Sequence, residues 1–275
     1  MNRSGQLGQS IAAVRTLKTV MFAAAVYFYG DLTMGGSADP ICTIIFVCAT
    51  ISSIAGFAFS AISGSMLLHV VRDPVEAVQI MLVASIALQA YSVWALRRII
   101  KPRELLPYFA GGAATVAPGV YLLLNTPTTI YLLALGGFLT AYGMYLFLRS
   151  PLRLKSNILA GRVIVGALGG ITGATAAFPG AFVTIWCAAH GWDKQRQRAI
   201  YQPFILGMQI VTLIILAIFA PMTGMRVDLL QYVVPAVLGA HIGLAVFSML
   251  SSAQFNKVVS AFLVVSGAAM SLKAL

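Results

Sequence analysis

Residues 169–180 read GGITGATAAFPG, and this stretch decides the fold because it interrupts an apolar run that is longer than one membrane span needs. The run extends from Val163 to His190, whereas about 20 residues suffice for a helix to cross a bilayer. Glycine and proline weaken a helix interior, so the run is either one long kinked helix or a pair of half-helices that dips in and returns. A second interrupted run, Ile41–Val70, has serines and glycines between Ser52 and Gly64.

The composition around these runs is that of a polytopic membrane protein. The 275 residues include 18 lysines and arginines and 7 aspartates and glutamates, so 9% are charged, against roughly 25% in soluble domains. Hydrophobic residues make up 60%, more than a soluble globule of this size can bury, which excludes most soluble enzymes and any disordered chain. Further apolar runs of spanning length lie at 76–96, 105–125, 128–148, 199–220, 228–249 and 255–274.

The basic residues predict the side on which each loop lies, because cytoplasmic loops carry an excess of lysine and arginine. The basic loops 97–103 and 149–162 are separated by two predicted spans, so both can be cytoplasmic. Basic residues also lie at 194–198, directly after the second interrupted run. A re-entrant hairpin would keep both ends of this run cytoplasmic, whereas a single crossing would place one basic cluster outside. The net charge of +11 then needs no nucleic-acid partner. Three of the 18 basic residues fall outside, Arg72, Arg226 and Lys273, which leaves 15 inside.

These features predict two inverted repeats in an all-α membrane protein, each a broken or re-entrant helical hairpin followed by three transmembrane helices. The first repeat covers 41–148 and the second 163–275, joined by the basic cytoplasmic linker 149–162. Their hairpins open on opposite sides, and secondary transporters use such repeats to alternate access to a central site. Residues 1–40 are expected to form a transmembrane or interfacial helix, with a signal peptide as the alternative.

The second half resembles the sulfite exporter TauE/SafE family. The resemblance is carried by residues 169–174, GGITGA, which lead to Phe178-Pro179-Gly180, and by residues 198–204, RAIYQPF. It extends over nearly the whole chain from residue 41, although the first half has a Ser- and Phe-rich stretch at 52–64 where the family usually shows glycines. The resemblance implies a multi-pass carrier in the inner (plasma) membrane that exports sulfite or an organosulfonate.

Anion binding in a membrane requires hydrogen-bond donors and positive potential, which the N-termini of half-helices supply. We therefore expect the substrate at the two hairpin tips, where small residues let the backbone approach a ligand; close helix packing is the alternative reading of the same residues. Glutamine amides inside the spans can also donate to anion oxygens, or can join neighbouring helices. The substrate-binding candidates are Ser53, Gly56, Ser60, Ser63, Gln79, Thr172, Gly173, Thr175, Pro179, Gly180, Gln202 and Gln209.

No lysine or arginine falls in the middle of a predicted span, so the anion is expected to be held by helix ends and neutral donors. His241 lies within a span, between Gly239 and Gly243, and is the candidate for proton coupling, while His69 and His190 at the hairpin ends fit structural roles. No metal or other cofactor is expected.

Other functional classes fit less well. An intramembrane enzyme would need paired aspartates, an H-E-x-x-H motif or a supported serine–base dyad, and the sequence lacks the first two, so no enzyme activity is expected. An anion channel, or a carrier of a different small organic anion, remains the alternative. The expected partners are a small anionic substrate and the lipid bilayer, and a homo-oligomer is left open.

Overall fold

The computed structural model describes residues 39–71, 74–125, 128–148, 158–176, 178–219 and 227–273, which are helical with no strand among them. The helices of the first half are α1 Pro40–Ala55, α2 Phe59–Val70, α3 Pro74–Leu96, α4 Pro102–Asn125 and α5 Thr128–Leu148. Those of the second half are α6 Leu159–Ala176, α7 Gly180–Ala189, α8 Lys194–Phe219, α9 Val233–Met249 and α10 Ser252–Lys273, with a 3-10 helix at Val227–Tyr232. The predicted N-terminal helix and most of the predicted linker lie outside these ranges.

The predicted all-α membrane architecture is confirmed. Four segments of the described chain are long and apolar enough to cross a bilayer, and each overlaps a predicted span: Gln79–Leu96, Pro102–Leu122, Lys194–Ile215 and Asp228–Met249. Helix α5 has the bounds of the predicted span 128–148, and α10 covers most of the predicted span 255–274.

The first interrupted run is a helical hairpin. Helix α1 begins after Asp39, whose carboxylate accepts a hydrogen bond from the Ile41 N–H at 2.9 Å. It ends at Gly56, which has a left-handed φ of 90°. The sulfur atoms of Cys48 and Met66 lie 3.7 Å apart, although 18 residues of continuous helix would separate them by about 27 Å. The chain therefore reverses direction after Gly56.

The second interrupted run also turns back on itself. The Phe178 N–H donates to the Thr172 carbonyl oxygen at 3.2 Å, closing the break between α6 and α7. Gly161, near the start of α6, packs against the indole of Trp186 on α7, which a continuous helix of 25 residues would place about 37 Å away. Both interrupted runs are therefore pairs of helices that reverse direction, and the alternative of long kinked helices is wrong.

The two halves of the chain are interlocked through their helix packing. The most extensive helix–helix contacts are α4 on α6, α5 on α10 and α9 on α1, and each joins one half to the other. Gly239 and Gly243 of α9 allow the close approach to α1, because a Cβ at Gly243 would lie 2.6 Å from that of Ser53. The buried surface of α1 is therefore completed by the second half of the chain.

Several of the predicted cytoplasmic loops meet at one end of the helix bundle, named here the basic end. Arg196, at the start of α8, forms an ion pair with Glu104, at the start of α4, at 3.5 Å. Lys194 donates to the Phe247 carbonyl oxygen at the end of α9, at 2.8 Å. The Gln197 amide contacts Asn256 of α10 at 3.3 Å. The basic residues of these segments thus share one end, as the charge pattern predicted.

Candidate functional site

One face of helix α8 lies against the breaks of both hairpins. Arg198, Tyr201, Gln202 and Ile205 follow the i, i+3, i+4, i+7 spacing of one helical face, and all four are buried. Arg198, Tyr201 and Gln202 are each 0% exposed. Ile205 packs against Gly180, the first residue of α7. This face therefore presents a cation, a hydroxyl and an amide to the point where the hairpins turn.

Donors from α8 and α3 hold the C-terminal end of α1. The last carbonyl groups of a helix have no partner within it and carry the negative end of its dipole. The Arg198 Nη2 donates to the Ser53 carbonyl oxygen at 2.7 Å, and the Tyr201 hydroxyl donates to that of Ala55 at 2.6 Å. The Gln89 amide of α3 donates to the Gly56 carbonyl oxygen at 3.3 Å. These bonds fix the first break to the centre of the bundle.

Gly56 is required at this break for two reasons. Its φ of 90° is a conformation that residues with a Cβ rarely adopt. A Cβ at this position would lie 2.9 Å from the Tyr201 ring and 3.1 Å from Arg198 Nε. The glycine therefore allows both α8 side chains to approach the end of α1.

Much of the hydrogen-bonding capacity around this break is unused. The Nε and Nη1 atoms of Arg198 are buried and have no partner among the described residues, and the same is true of both polar atoms of the Gln202 side chain. The Ser53 hydroxyl and the Gln89 Oε1 are also buried without a partner. Buried polar groups are nearly always hydrogen-bonded in native proteins, so this concentration of unpaired groups marks a candidate ligand site. We name it the Arg198 cluster; its members are Ser53, Gly56, Gln89, Arg198, Tyr201 and Gln202.

The Arg198 cluster has a positive charge and no acidic partner among the described residues. Within the described part of the chain, no carboxylate forms an ion pair with Arg198; Arg196 and Lys101 pair with Glu104 instead. An isolated buried cation costs several kcal/mol relative to water, so it favours an anion beside it. This candidate site therefore differs from the neutral site that the sequence predicted, because a guanidinium lies at its centre.

Phe247 of α9 covers the guanidinium on the side of the basic end. Its ring centroid lies 4.1 Å from Arg198 Cζ and 4.7 Å from Lys194 Nζ, so two cations face the same aromatic ring. Lys194 is partly exposed and also donates to the carbonyl oxygens of Phe247 and Ser248. Phe247 therefore contacts both a partly exposed cation and the buried one.

The two hairpin breaks face each other across an aromatic pair. The ring centroids of Phe57, in the first break, and Phe178, in the second, lie 5.9 Å apart. Gly180 approaches Phe57, and Gly173 packs against Pro179. No side chain caps the N-terminus of α2 or of α7, which begin directly after the breaks. The predicted tip residues Gly56, Gly173, Pro179 and Gly180 are thus brought to one region.

The predicted hydroxyl donors are mostly engaged within their own helices. Ser63 donates to the Phe59 carbonyl oxygen at 2.8 Å, and Thr175 donates to that of Ile171 at 2.9 Å. Thr172 donates to the Leu168 carbonyl oxygen at 2.9 Å. Ser60 is half-buried. Of the predicted hydroxyl residues, only Ser53 combines full burial with an unpaired side chain in the described structure.

The predicted glutamines separate into different environments. Gln202 belongs to the Arg198 cluster, whereas Gln209 donates to the Ser85 hydroxyl of α3 at 2.7 Å and so joins two helices. Gln79 is half-buried on α3, and no hydrogen bond in the described structure links it to the cluster. Gln89, which was not among the predicted site residues, reaches the break instead.

His241 lies on a different face of α9 from the glycines that contact α1. Its Nδ1 is hydrogen-bonded to the Tyr91 hydroxyl of α3, and its Nε2 is buried without a partner. His190 accompanies Trp186 and Trp192 in an aromatic stack near the basic end, with centroid distances of 4.5 and 5.0 Å. The side chain of His69 lies outside the described structure. In the described structure, His241 therefore has an open nitrogen inside the bundle.

Sequence reasoning missed Arg198 because it was counted with the loop before α8. The helix begins at Lys194, five residues before the predicted start, so Arg198 belongs to its second turn. The available signal was its spacing of four residues before Gln202 and seven before Ile205, which places all three on one face. Tyr201, read as a donor or an interfacial anchor, is also fully buried on this face.

A family model described as Sulfite exporter TauE/SafE matches residues 41–270 of the chain. No curated protein and no solved structure gives a match. The family match includes both hairpins and every residue of the Arg198 cluster.

Proposed function

Because this chain belongs to the sulfite exporter TauE/SafE family, we propose that it exports a small sulfur-containing anion, such as sulfite or an organosulfonate, across the inner (plasma) membrane. The family consists of membrane transporters rather than enzymes, and the apolar helices agree with a membrane location. The observation that carries the proposal is Arg198: a fully buried guanidinium with two unpaired nitrogens and no acidic partner in the described structure.

The Arg198 cluster has the chemistry that binding an oxyanion requires. The unpaired guanidinium nitrogens donate charged hydrogen bonds, which are about twice as strong as neutral ones. The Gln202 amide, also unpaired, is on the same face of α8 and can donate to another oxygen of the anion. The uncapped N-termini of α2 and α7 begin beside the same breaks and add positive potential. An anion there neutralises a charge that the fold leaves uncompensated.

The transport mechanism that we propose is alternating access between two inverted repeats. The packing supports a twofold relation in which α1 to α5 correspond to α6 to α10. Under this relation, the pair α4 and α6 corresponds to the pair α9 and α1, and both pairs are in contact. The pair α4 and α8 likewise corresponds to the pair α9 and α3, and both of these pairs are also in contact. The breaks, which this relation pairs, meet at Phe57 and Phe178. In such transporters, one repeat moves against the other around a fixed site.

Counterflow in proteoliposomes tests the proposal and separates a carrier from an anion channel. Vesicles loaded with unlabelled sulfite should take up labelled sulfite transiently, and the rate should saturate with concentration. Flux that neither saturates nor shows counterflow would favour the channel. Absence of flux for sulfite and sulfonates alike would reject both.

Matched arginine variants connect the flux to the site. Arg198→Gln should abolish counterflow because it removes the buried charge. Arg196→Gln should retain it, because that side chain is 46% exposed and pairs with Glu104 at the surface. Equal activity of the two variants would remove Arg198 from the mechanism, provided that both proteins remain monodisperse.

A further inference from the structure

We infer that the Arg198 cluster selects oxyanions of a single negative charge over those with two, an inference that rests on the proposed function because it concerns the same site. Among the described residues, Arg198 is the only cation that is fully buried. The other side chains of the cluster, those of Ser53, Gln89, Tyr201 and Gln202, are neutral donors or acceptors.

The end of α1 reduces the positive potential further. A helix C-terminus carries the equivalent of about half a negative charge. The carbonyl groups of Ser53, Ala55 and Gly56 point to the cluster and accept hydrogen bonds from Arg198, Tyr201 and Gln89. The uncapped N-termini of α2 and α7 lie at the same breaks and add positive potential, which the end of α1 partly offsets, so the guanidinium supplies the one full positive charge of the cluster.

The neighbouring cation does not supply the missing second charge. Lys194 also contacts the Phe247 ring, but its ammonium group donates to the carbonyl oxygens of Phe247, Ser248 and Leu250. It is partly exposed, so water already solvates it. A dianion at the cluster would therefore bring one uncompensated charge into the interior, which is strongly unfavourable. Neutral amides and hydroxyls can hydrogen-bond to its oxygens but cannot balance the charge.

Methanesulfonate and sulfate provide a direct test, because both are tetrahedral and fully ionised near neutral pH but carry one and two charges. Dissociation constants for the purified full-length protein in detergent should favour methanesulfonate by about tenfold or more. Equal or tighter binding of sulfate would overturn the inference and leave the proposed function intact. Failure of both anions, and of sulfite, to bind would reject the proposed function as well.

Sulfite gives a second comparison with one ligand, because it changes between a monoanion and a dianion around neutral pH. Its affinity should fall as the pH rises through this ionisation, while methanesulfonate, measured in parallel, should keep its affinity over the same range. If the affinities for both ligands fell together as the pH rises, the effect would belong to a titrating group of the protein, and the inference would be overturned.

Variants at Arg198 locate the selectivity. Arg198→Lys keeps one charge and should retain the preference for methanesulfonate, with weaker binding because the amine has fewer donors in a fixed geometry. Arg198→Gln should lose methanesulfonate binding. Folding of each variant is checked by monodispersity. If Arg198→Gln does not fold, the preference is tested with Arg198→Lys alone. Retention of the wild-type affinity in either folded variant would show that the preference arises elsewhere.

Discussion

The guanidinium of Arg198 donates to the carbonyl oxygen of Ser53 at 2.7 Å across 145 residues of sequence, so the second half of the chain caps a helix of the first. The cap leaves the Nε and Nη1 atoms of Arg198 without a partner. Arg198 therefore serves the fold with one nitrogen and has two others available for a ligand.

The Tyr201 hydroxyl contributes to stability at the same helix end. Tyr201→Phe leaves the buried carbonyl oxygen of Ala55 without its donor, which lies at 2.6 Å, and should cost about 1–3 kcal/mol. The thermal midpoint of the protein in detergent measures the loss. Tyr121→Phe, at a position that is 67% exposed, should leave the midpoint unchanged. Equal midpoints for the two variants would contradict the capping role.

Gly56→Ala should destabilise the protein by about 1–3 kcal/mol and also weaken anion binding. The substitution strains a left-handed backbone and forces the methyl group towards Tyr201 and Arg198. Gly137→Ala is the control, because no atom lies within 4 Å of the position that its Cβ would take, and alanine favours a helix. The pair is compared by thermal shift with and without methanesulfonate. A tolerated Gly56→Ala would argue against tight packing at the break.

Gln202 and Gln209 of α8 should separate binding from stability. Gln202→Ala removes an amide that has no partner in the described structure, so anion affinity should fall by about tenfold while the unliganded protein keeps its stability. Gln209→Ala leaves the Ser85 hydroxyl unpaired, so it should lower stability with little effect on affinity. Unchanged binding and transport in Gln202→Ala would remove Gln202 from the site.

His241 is the proposed group for proton coupling. His241→Gln should abolish transport that is driven by a pH gradient and preserve counterflow at equal pH, because the Arg198 cluster stays intact. Histidine changes charge near neutral pH, and its Nε2 is open within the bundle. Tyr91→Phe, which removes the partner of Nδ1, should alter the pH dependence without abolishing it. Gradient-driven transport at the wild-type rate in His241→Gln would reject the coupling role.

Cysteine labelling tests the sidedness of the second hairpin. Single cysteines at Ala160 and Gln195, in a background without Cys42, Cys48 and Cys187, should react with an impermeant reagent from the same side. Both positions are exposed and flank the hairpin. A cysteine at Leu230, before α9, should react from the other side. Opposite labelling of Ala160 and Gln195 would refute the re-entrant arrangement.

Local patterns were sufficient to predict the helices and their interruptions. Apolar run length placed α5 at 128–148, and clustered serine, glycine and proline located both breaks. The charge pattern favoured a return of the chain in the second run over a kinked helix, and the contact of Gly161 with Trp186 confirms that return. These features depend on residues that are near each other in sequence, which is why the sequence reveals them.

The composition of the site depends on long-range packing that no local pattern encodes. Gln89 and Arg198 reach the same helix end from α3 and α8, and only the crossing of these helices shows that they meet. The charge pattern assigned Arg198 to the loop before α8. The residue lies instead in the second turn of α8, from which its side chain reaches the end of α1. The hydroxyl groups of Ser63 and Thr175 made both residues candidate donors to a ligand. Each hydroxyl donates instead to the carbonyl oxygen four residues earlier in the chain.

The interlocking of the halves has a consequence for biosynthesis. Helix α1 finds its most extensive partner in α9, about 180 residues later in the chain. During translation, α1 therefore enters the lipid long before the surface that buries its side with Ala49 and Ser53 has been made. Helices α4 and α6, by contrast, meet soon after synthesis. The native arrangement is completed only after the ribosome has passed residue 249, so a chain truncated before α9 leaves the first hairpin without its closest neighbour.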